Sequence, residues 1–263
     1  MKRHPLAVFF TLAFALPWFV WGTALAEQAG WIGWHIPSPL AFWIGLPIAS
    51  FGTAVLTGGW PAVRDLLLRM VRVRVGVQWY AVALLATPVL AGLTALVALA
   101  TGVPLAPEAA SWLDLLGAFA FNAWMWLLTE ETAWRGFALP RMLPRLGQVG
   151  ANLVLGAVWA VWHLPLFFVD GSFQSQLPFA AFALSTIATS MLIGWVFRGA
   201  RGSVLVAALF HASADVAIGF SGVMSSGAAL LWVFVALQVG AAAFATWRLA
   251  AVRTPQPAAV SAG

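Results

Sequence analysis

Residues 112–135 read WLDLLGAFAFNAWMWLLTEETAWR. The run from Trp112 to Leu128 is apolar apart from Asp114 near its start and Asn122, and it ends in two adjacent carboxylates, Glu130 and Glu131. Arg135 follows Glu131 by four residues. A segment of this length and polarity is long enough to cross a bilayer. An acid placed at the centre of such a span costs about 2.5–3.5 kcal/mol even on a lenient insertion scale. The chain holds only eight acidic residues in 263, so two of them side by side here point to use.

The rest of the chain has the same character. It is 62% hydrophobic and 8% charged, with a mean hydropathy of +0.93, whereas soluble domains carry roughly 25% charged residues. Apolar stretches of spanning length run over about 6–26, 39–59, 79–101, 112–132, 149–169, 179–198, 203–222 and 228–248. The expected fold is all-α, a polytopic membrane helix bundle of about eight transmembrane helices. The expected organisation is three N-terminal spans over 1–111, a core over 112–222, a last span over 223–252 and a disordered Pro/Ala-rich tail over 253–263.

A net charge of +5 and a pI near 11.3 do not point to nucleic acid, because of where the charges fall. With alternating spans, Lys2 and Arg3, Arg64 to Arg74, Arg135 to Arg145, Arg198 and Arg201, and Arg248 and Arg253 all land on one side. The opposite connections carry only Glu27, Glu108 and Asp170. Basic residues mark cytoplasmic connections, so both termini are expected inside, with the basic charge facing anionic headgroups of the lipid bilayer. Of the 16 tryptophans, Trp60, Trp79 and Trp112 sit near span ends, where indoles favour the headgroup layer. Cysteine is absent, which removes disulfides, thiol nucleophiles and thiolate metal sites. Ala24-Leu25-Ala26 before Glu27 resembles a signal-peptidase site, but the apolar stretch from Leu6 is longer than a signal core. The first span is expected to be retained.

Between spans, Val63, Leu66, Leu67 and Met70 recur at helical spacing among arginines. The segment 61–76 reads as a basic amphipathic helix on the cytoplasmic surface. The segment 136–147 contains Pro140 and Pro144 and reads as a broken cytoplasmic connection.

Ionisable residues inside spans usually face the bundle interior or a water-filled cavity. Here they are Glu130, Glu131, His163, His211 and Asp215, with Asp114 near an outer end. Neighbours on a helix diverge by about 100°, so the two glutamates face different ways. Glu131 and Arg135 stand in the favourable i, i+4 order for an ion pair, which leaves Glu130 available to take a proton from water. Asn152, Gly156, Trp159 and His163 share one helix face, and Gly156 allows a close neighbour. His211 and Asp215 are again i, i+4, and the acid can fix the imidazole's orientation.

Three spans thus supply Glu-Glu-x-x-x-Arg at 130–135, Trp-x-x-x-His at 159–163 and His-x-x-x-Asp at 211–215. In these motifs the chain resembles the CPBP family of intramembrane proteases, which includes the type II CAAX prenyl endopeptidases and the bacteriocin-immunity (Abi) proteins. The family pattern has Phe where this chain has Trp159. The resemblance covers about 112–222. It implies an intramembrane endopeptidase in which Glu130 with His163 activates the hydrolytic water. His211 and Asp215 would steady the oxyanion or hold the water, and Glu131 and Arg135 would hold the geometry. It implies no required cofactor, or one Zn2+ held by His163, His211 and Glu130. The expected partners are a peptide or membrane-protein substrate and the bilayer, with no nucleic acid. The expected setting is a bacterial plasma membrane, since arginine greatly outnumbers lysine, with the site open toward the cytoplasm.

Other classes fit less well. There is no His-Glu-x-x-His. Gly219-Phe220-Ser221-Gly222 resembles the rhomboid serine motif, but no histidine follows it. A proton-coupled transporter would use the same residue types, yet paired broken helices are not evident. A non-catalytic scaffold or immunity protein of the same family is the remaining alternative. One depth mismatch stands. Glu130 is near a span end, while His163 lies about 21 Å and His211 about 12 Å into their spans by the helical rise.

Overall fold

The computed structural model describes residues 4–251. The expected tail, Lys2, Arg3 and Arg253 lie outside the described residues. Eight long α-helices account for most of the chain, and there is no strand among the described residues. They are α1 (Pro5–Gln28), α2 (Thr53–Met70), α3 (Val77–Thr101), α4 (Trp112–Leu128), α5 (Leu139–Trp162), α6 (Phe179–Gly199), α7 (Val204–Ser221) and α8 (Ala228–Ala250). π-Helical turns at Ala41–Gly45 and Ile48–Gly52 lead into α2, and a π-helix at Thr132–Ala138 leads into α5. Six helical segments are long and apolar enough to cross a membrane: α1, Ala41–Met70, α3, α6, α7 and α8. The segments α4 and α5 fall outside that set. Helix α4 is short, at 17 residues, and α5 carries Arg141 and Arg145 in its first half.

The main packings are α3 and α4 against α7, α5 against α6, and α6 against α8. Two glycines bring α5 and α6 together. A Cβ on Gly156 would stand 2.8 Å from Ser190 Cβ and 2.9 Å from Ile187 Cα. One on Gly194 would stand 1.8 Å from Asn152 Oδ1. In lipid, where helix association relies on close van der Waals contact, small residues at a seam let two backbones approach. The expected polar face of α5 is therefore turned inward, and Asn152 and Trp159 are buried.

Helix α1 is a packed member of the bundle. Phe9 stacks on Phe137 at 5.0 Å, and Trp162 Nε1 donates to the Ala13 carbonyl at 2.7 Å. Trp21, Trp134 and Trp162 are fully buried and meet edge to face at 4.9 and 5.8 Å about Trp162. Such pairs add about 0.5–1.5 kcal/mol each beyond their burial. They tie α1, the π-helix and α5 into one core.

Two expectations about connections need correction. The segment 136–147 is helical. Pro140 falls in the first turn of α5, where its missing N–H leaves no bond unmade. The break comes instead at Gly147, whose φ of 64° lies in the left-handed region that glycine adopts without steric cost. The amphipathic helix at 61–76 ends at Met70, after a break at Gly59. Val63, Leu66 and Met70 are buried but Leu67 is 39% exposed. Leu66 packs against Gly136, so this helix is docked on the bundle through one narrow edge.

The depth mismatch is resolved by a break in the fourth span. Helix α4 stops at Thr129, with φ −116° and ψ −92°. The chain continues through Glu130 and Glu131 into the π-helix and the first half of α5, turns at Gly147 and returns. Glu130 therefore sits inside the bundle, part-way along a broken helix. His163 caps the returning helix, which ends there and not near 169.

Candidate active site

The break at Thr129 leaves backbone groups that the chain satisfies locally. Thr129 N and Oγ1 both donate to the Met125 carbonyl, at 3.0 and 2.7 Å. Thr132 Oγ1 donates to the Leu127 carbonyl. Such satisfaction is needed wherever helical bonding is interrupted away from water. The π-helix that follows is a rare local form, often found at functional sites.

Glu130 is 1% exposed. Its Oε2 accepts from two indoles, Trp134 Nε1 at 3.2 Å and Trp159 Nε1. These two donors, one from the π-helix and one from α5, fix the carboxylate. Its other oxygen has no hydrogen-bond partner among the described residues.

Glu131 and Arg135 are both fully buried. Arg135 Nη1 donates to Glu131 Oε1 at 3.0 Å, the expected pair. The guanidinium also lies over the Trp159 ring, 4.7 Å from its centroid. The same Glu131 oxygen lies 2.9 Å from His211 Nδ1. Here the structure departs from the sequence reading, which gave Asp215 the task of orienting His211. Asp215 Oδ1 is 3.8 Å from His211 Nε2, beyond hydrogen-bond reach. Its Oδ2 accepts instead from Trp126 Nε1 at 2.7 Å. Glu131 orients the imidazole through Nδ1, and Nε2 is left on the side of Asp215. Trp126 also stacks on the His211 ring, with centroids 4.5 Å apart and planes 9° apart.

His163 faces the Trp159 carbonyl through Nδ1 at 2.9 Å. A carbonyl only accepts, so Nδ1 carries the proton, and in the neutral ring Nε2 is an acceptor. The ring is held edge-on by Trp162 at 4.8 Å and Phe182 at 5.2 Å.

All four residues expected to be catalytic, Glu130, His163, His211 and Asp215, line one cavity of about 290 Å³. Trp126 and Trp159 line it too, with Ser185, Thr186 and Thr189 from α6. Glu131 and Arg135 stand behind this wall. The sequence reading missed Trp126 and Trp134 as partners of the acids, although Trp126, Glu130 and Trp134 recur every four residues. It also missed the hydroxyl face of α6.

No group of three His, Asp or Glu comes together in a metal-holding arrangement among the described residues.

Ser221, from the rhomboid-like stretch, ends α7. Gly222 caps that helix with a φ of 75°, and a Cβ there would lie 2.5 Å from the Ala106 carbonyl oxygen. A helix cap accounts for this sequence.

Residues 108–217 match the family model for the type II CAAX prenyl endopeptidase, Rce1-like. This stretch of the chain is similar to that family. The matched stretch holds all three motifs. The CAAX prenyl protease 2 of Methanococcus maripaludis is 32% identical over 88 residues, or 31% of this chain. The match spans about a third (32%) of that relative's length. The matched stretch runs from just before α4 to the last turn of α7 and supplies most of the cavity lining.

Proposed function

We propose that this chain is an intramembrane endopeptidase that hydrolyses a peptide bond with a glutamate-activated water. The observation that carries this reading is the state of Glu130. Two indoles hold one carboxylate oxygen, and the other has no protein partner beside a cavity lined by two imidazoles. That is the arrangement a general base needs, a fixed carboxylate with a free lone pair in reach of water.

In the proposed cycle, water lies between the free Glu130 oxygen and Nε2 of His163. Glu130 takes its proton as the oxygen attacks the substrate carbonyl. His211, whose Nδ1 is committed to Glu131, turns Nε2 toward the tetrahedral oxyanion, and when protonated it donates there. Fixed donors aimed at developing charge supply much of the rate in acyl transfer. The C–N bond then breaks, and the proton on Glu130 passes to the leaving amine. Every proton is accounted for by the chain's own groups.

The proposed setting is a bacterial plasma membrane, and the proposed substrate is a peptide or membrane-protein segment. Comparative proteomics of membrane fractions tests this reading. Cells carrying Glu130→Gln should accumulate an uncleaved polypeptide that wild-type cells process. Identical peptide termini in the two strains would remove the reading.

A further inference from the structure

The bundle has two distinct ends. At one, the α2–α3 and α6–α7 connections are laced together. Arg72 donates to the Arg201 carbonyl and Arg201 to that of Arg74, and Ser203 Oγ donates to the Arg72 carbonyl at 2.7 Å. Arg198 reaches the Leu249 carbonyl at the end of α8. At the other end, Gln28 joins the α5–α6 connection through Phe168 and Asp170. There Glu108 N donates to the Phe220 carbonyl at 3.1 Å. Charges at this second end are Glu27, Glu108, Asp114 and Asp170, with no Lys or Arg among the described residues. Arginine-rich connections are retained in the cytoplasm, so the first end is cytoplasmic.

The cavity lies between these ends, and its lining reaches connections at the second. Phe173 and Gln174 come from the α5–α6 connection and Met224 from the α7–α8 connection. Phe173 is 47% exposed. Glu130, just past the far end of α4, and His211, two turns into α7 from the first end, line the same cavity. The wall carries aromatic and aliphatic groups with neutral hydroxyls, and no Lys or Arg.

We infer that the site is entered from the non-cytoplasmic face, and that its substrate is a polypeptide segment with uncharged, mainly apolar side chains presented on that face. This reverses the expected opening toward the cytoplasm. The reversal comes from the break at Thr129, which puts Glu130 deep in the bundle and leaves the mouth to the opposite connections. The nature of the substrate rests on the peptidase reading. The side of entry does not.

The chain contains no cysteine, so single cysteines report without background. Ser175→Cys marks the mouth connection and Val77→Cys the opposite end, both at exposed positions outside the cavity wall. In intact cells, a membrane-impermeant maleimide should label Ser175→Cys, and should label Val77→Cys only after permeabilisation. The reverse pattern, or equal labelling of both before permeabilisation, overturns the proposed side of entry. Labelling needs no catalysis, so this outcome is independent of the peptidase reading. The substrate half is tested with one apolar reporter segment tethered to a membrane helix and displayed on either face. Cleavage should occur only on the non-cytoplasmic face and be lost in Glu130→Gln. Cleavage of the cytoplasmic display alone overturns the inference and leaves the peptidase reading standing.

Discussion

His211 Nδ1 lies 2.9 Å from Glu131 Oε1, across 80 positions of sequence. The same oxygen accepts from Arg135 at 3.0 Å, so one buried carboxylate sets both a structural cation and a cavity imidazole. Removing it has two separable consequences. Glu131→Ala strands a fully buried guanidinium, and breaking a buried pair in this way costs roughly 3–5 kcal/mol. Replacing both partners with apolar residues, Glu131→Leu with Arg135→Met, should recover most of the melting temperature in detergent. It should not recover peptide cleavage, because His211 has lost its acceptor. Recovery of both would mean that Glu131 has no part in placing the imidazole.

Trp159 stands where the family pattern has phenylalanine, and its N–H is one of two donors to Glu130. Hydrogen bonds to a charged group contribute about 1.5–3 kcal/mol. Trp159→Phe keeps the ring and removes the donor. A fall in kcat of about 10- to 100-fold is expected, with KM little changed and the melting temperature lowered. Adding Trp134→Phe should deepen the loss. A double variant with unchanged kcat would show that the indoles do not hold the base.

The α5–α6 seam positions His163 against the other helices. Gly156→Ala would set a Cβ 2.9 Å from the Ile187 backbone, and overpacking of this kind costs typically about 1–3 kcal/mol. The melting temperature and kcat should fall together. Gly92→Ala, at a helix position with nothing within 4 Å, should leave both as they are or raise stability slightly.

The residues around the cavity do not form a three-ligand metal set. Protein purified without added metal should therefore bind substoichiometric zinc, and a chelator should leave cleavage unchanged. Stoichiometric zinc that disappears in Glu130→Gln would contradict this.

Much of the fold was legible because the bilayer constrains it strongly. Length and apolarity marked the helices, and the spacing of Asn152, Gly156, Trp159 and His163 identified the inward face of α5. The i, i+4 rule paired Glu131 with Arg135. What was not legible depended on interrupted helices. Nothing local in Leu128-Thr129-Glu130 announces a break, since threonine is tolerated in helices and its hydroxyl repairs the ladder only once the break exists. Pro140 and Pro144 were read as breakers, but Pro140 sits in a first turn, where proline is harmless. The true break is at Gly147. Asp215 was matched to His211 by spacing alone, whereas an acid from another helix makes the closer contact. The indole N–H groups escaped the sequence reading because a tryptophan's donor has no sequence signature.

The kinetics of Glu130→Gln in purified, detergent-solubilised protein acting on a cleavable peptide test the central claim most directly. General-base catalysis contributes about 10²–10⁴-fold. The variant should lose kcat by that order, with KM and melting temperature close to wild type, since glutamine can still accept from both indoles. Wild-type turnover by this variant would contradict the account, because the base would then have to be a group other than Glu130.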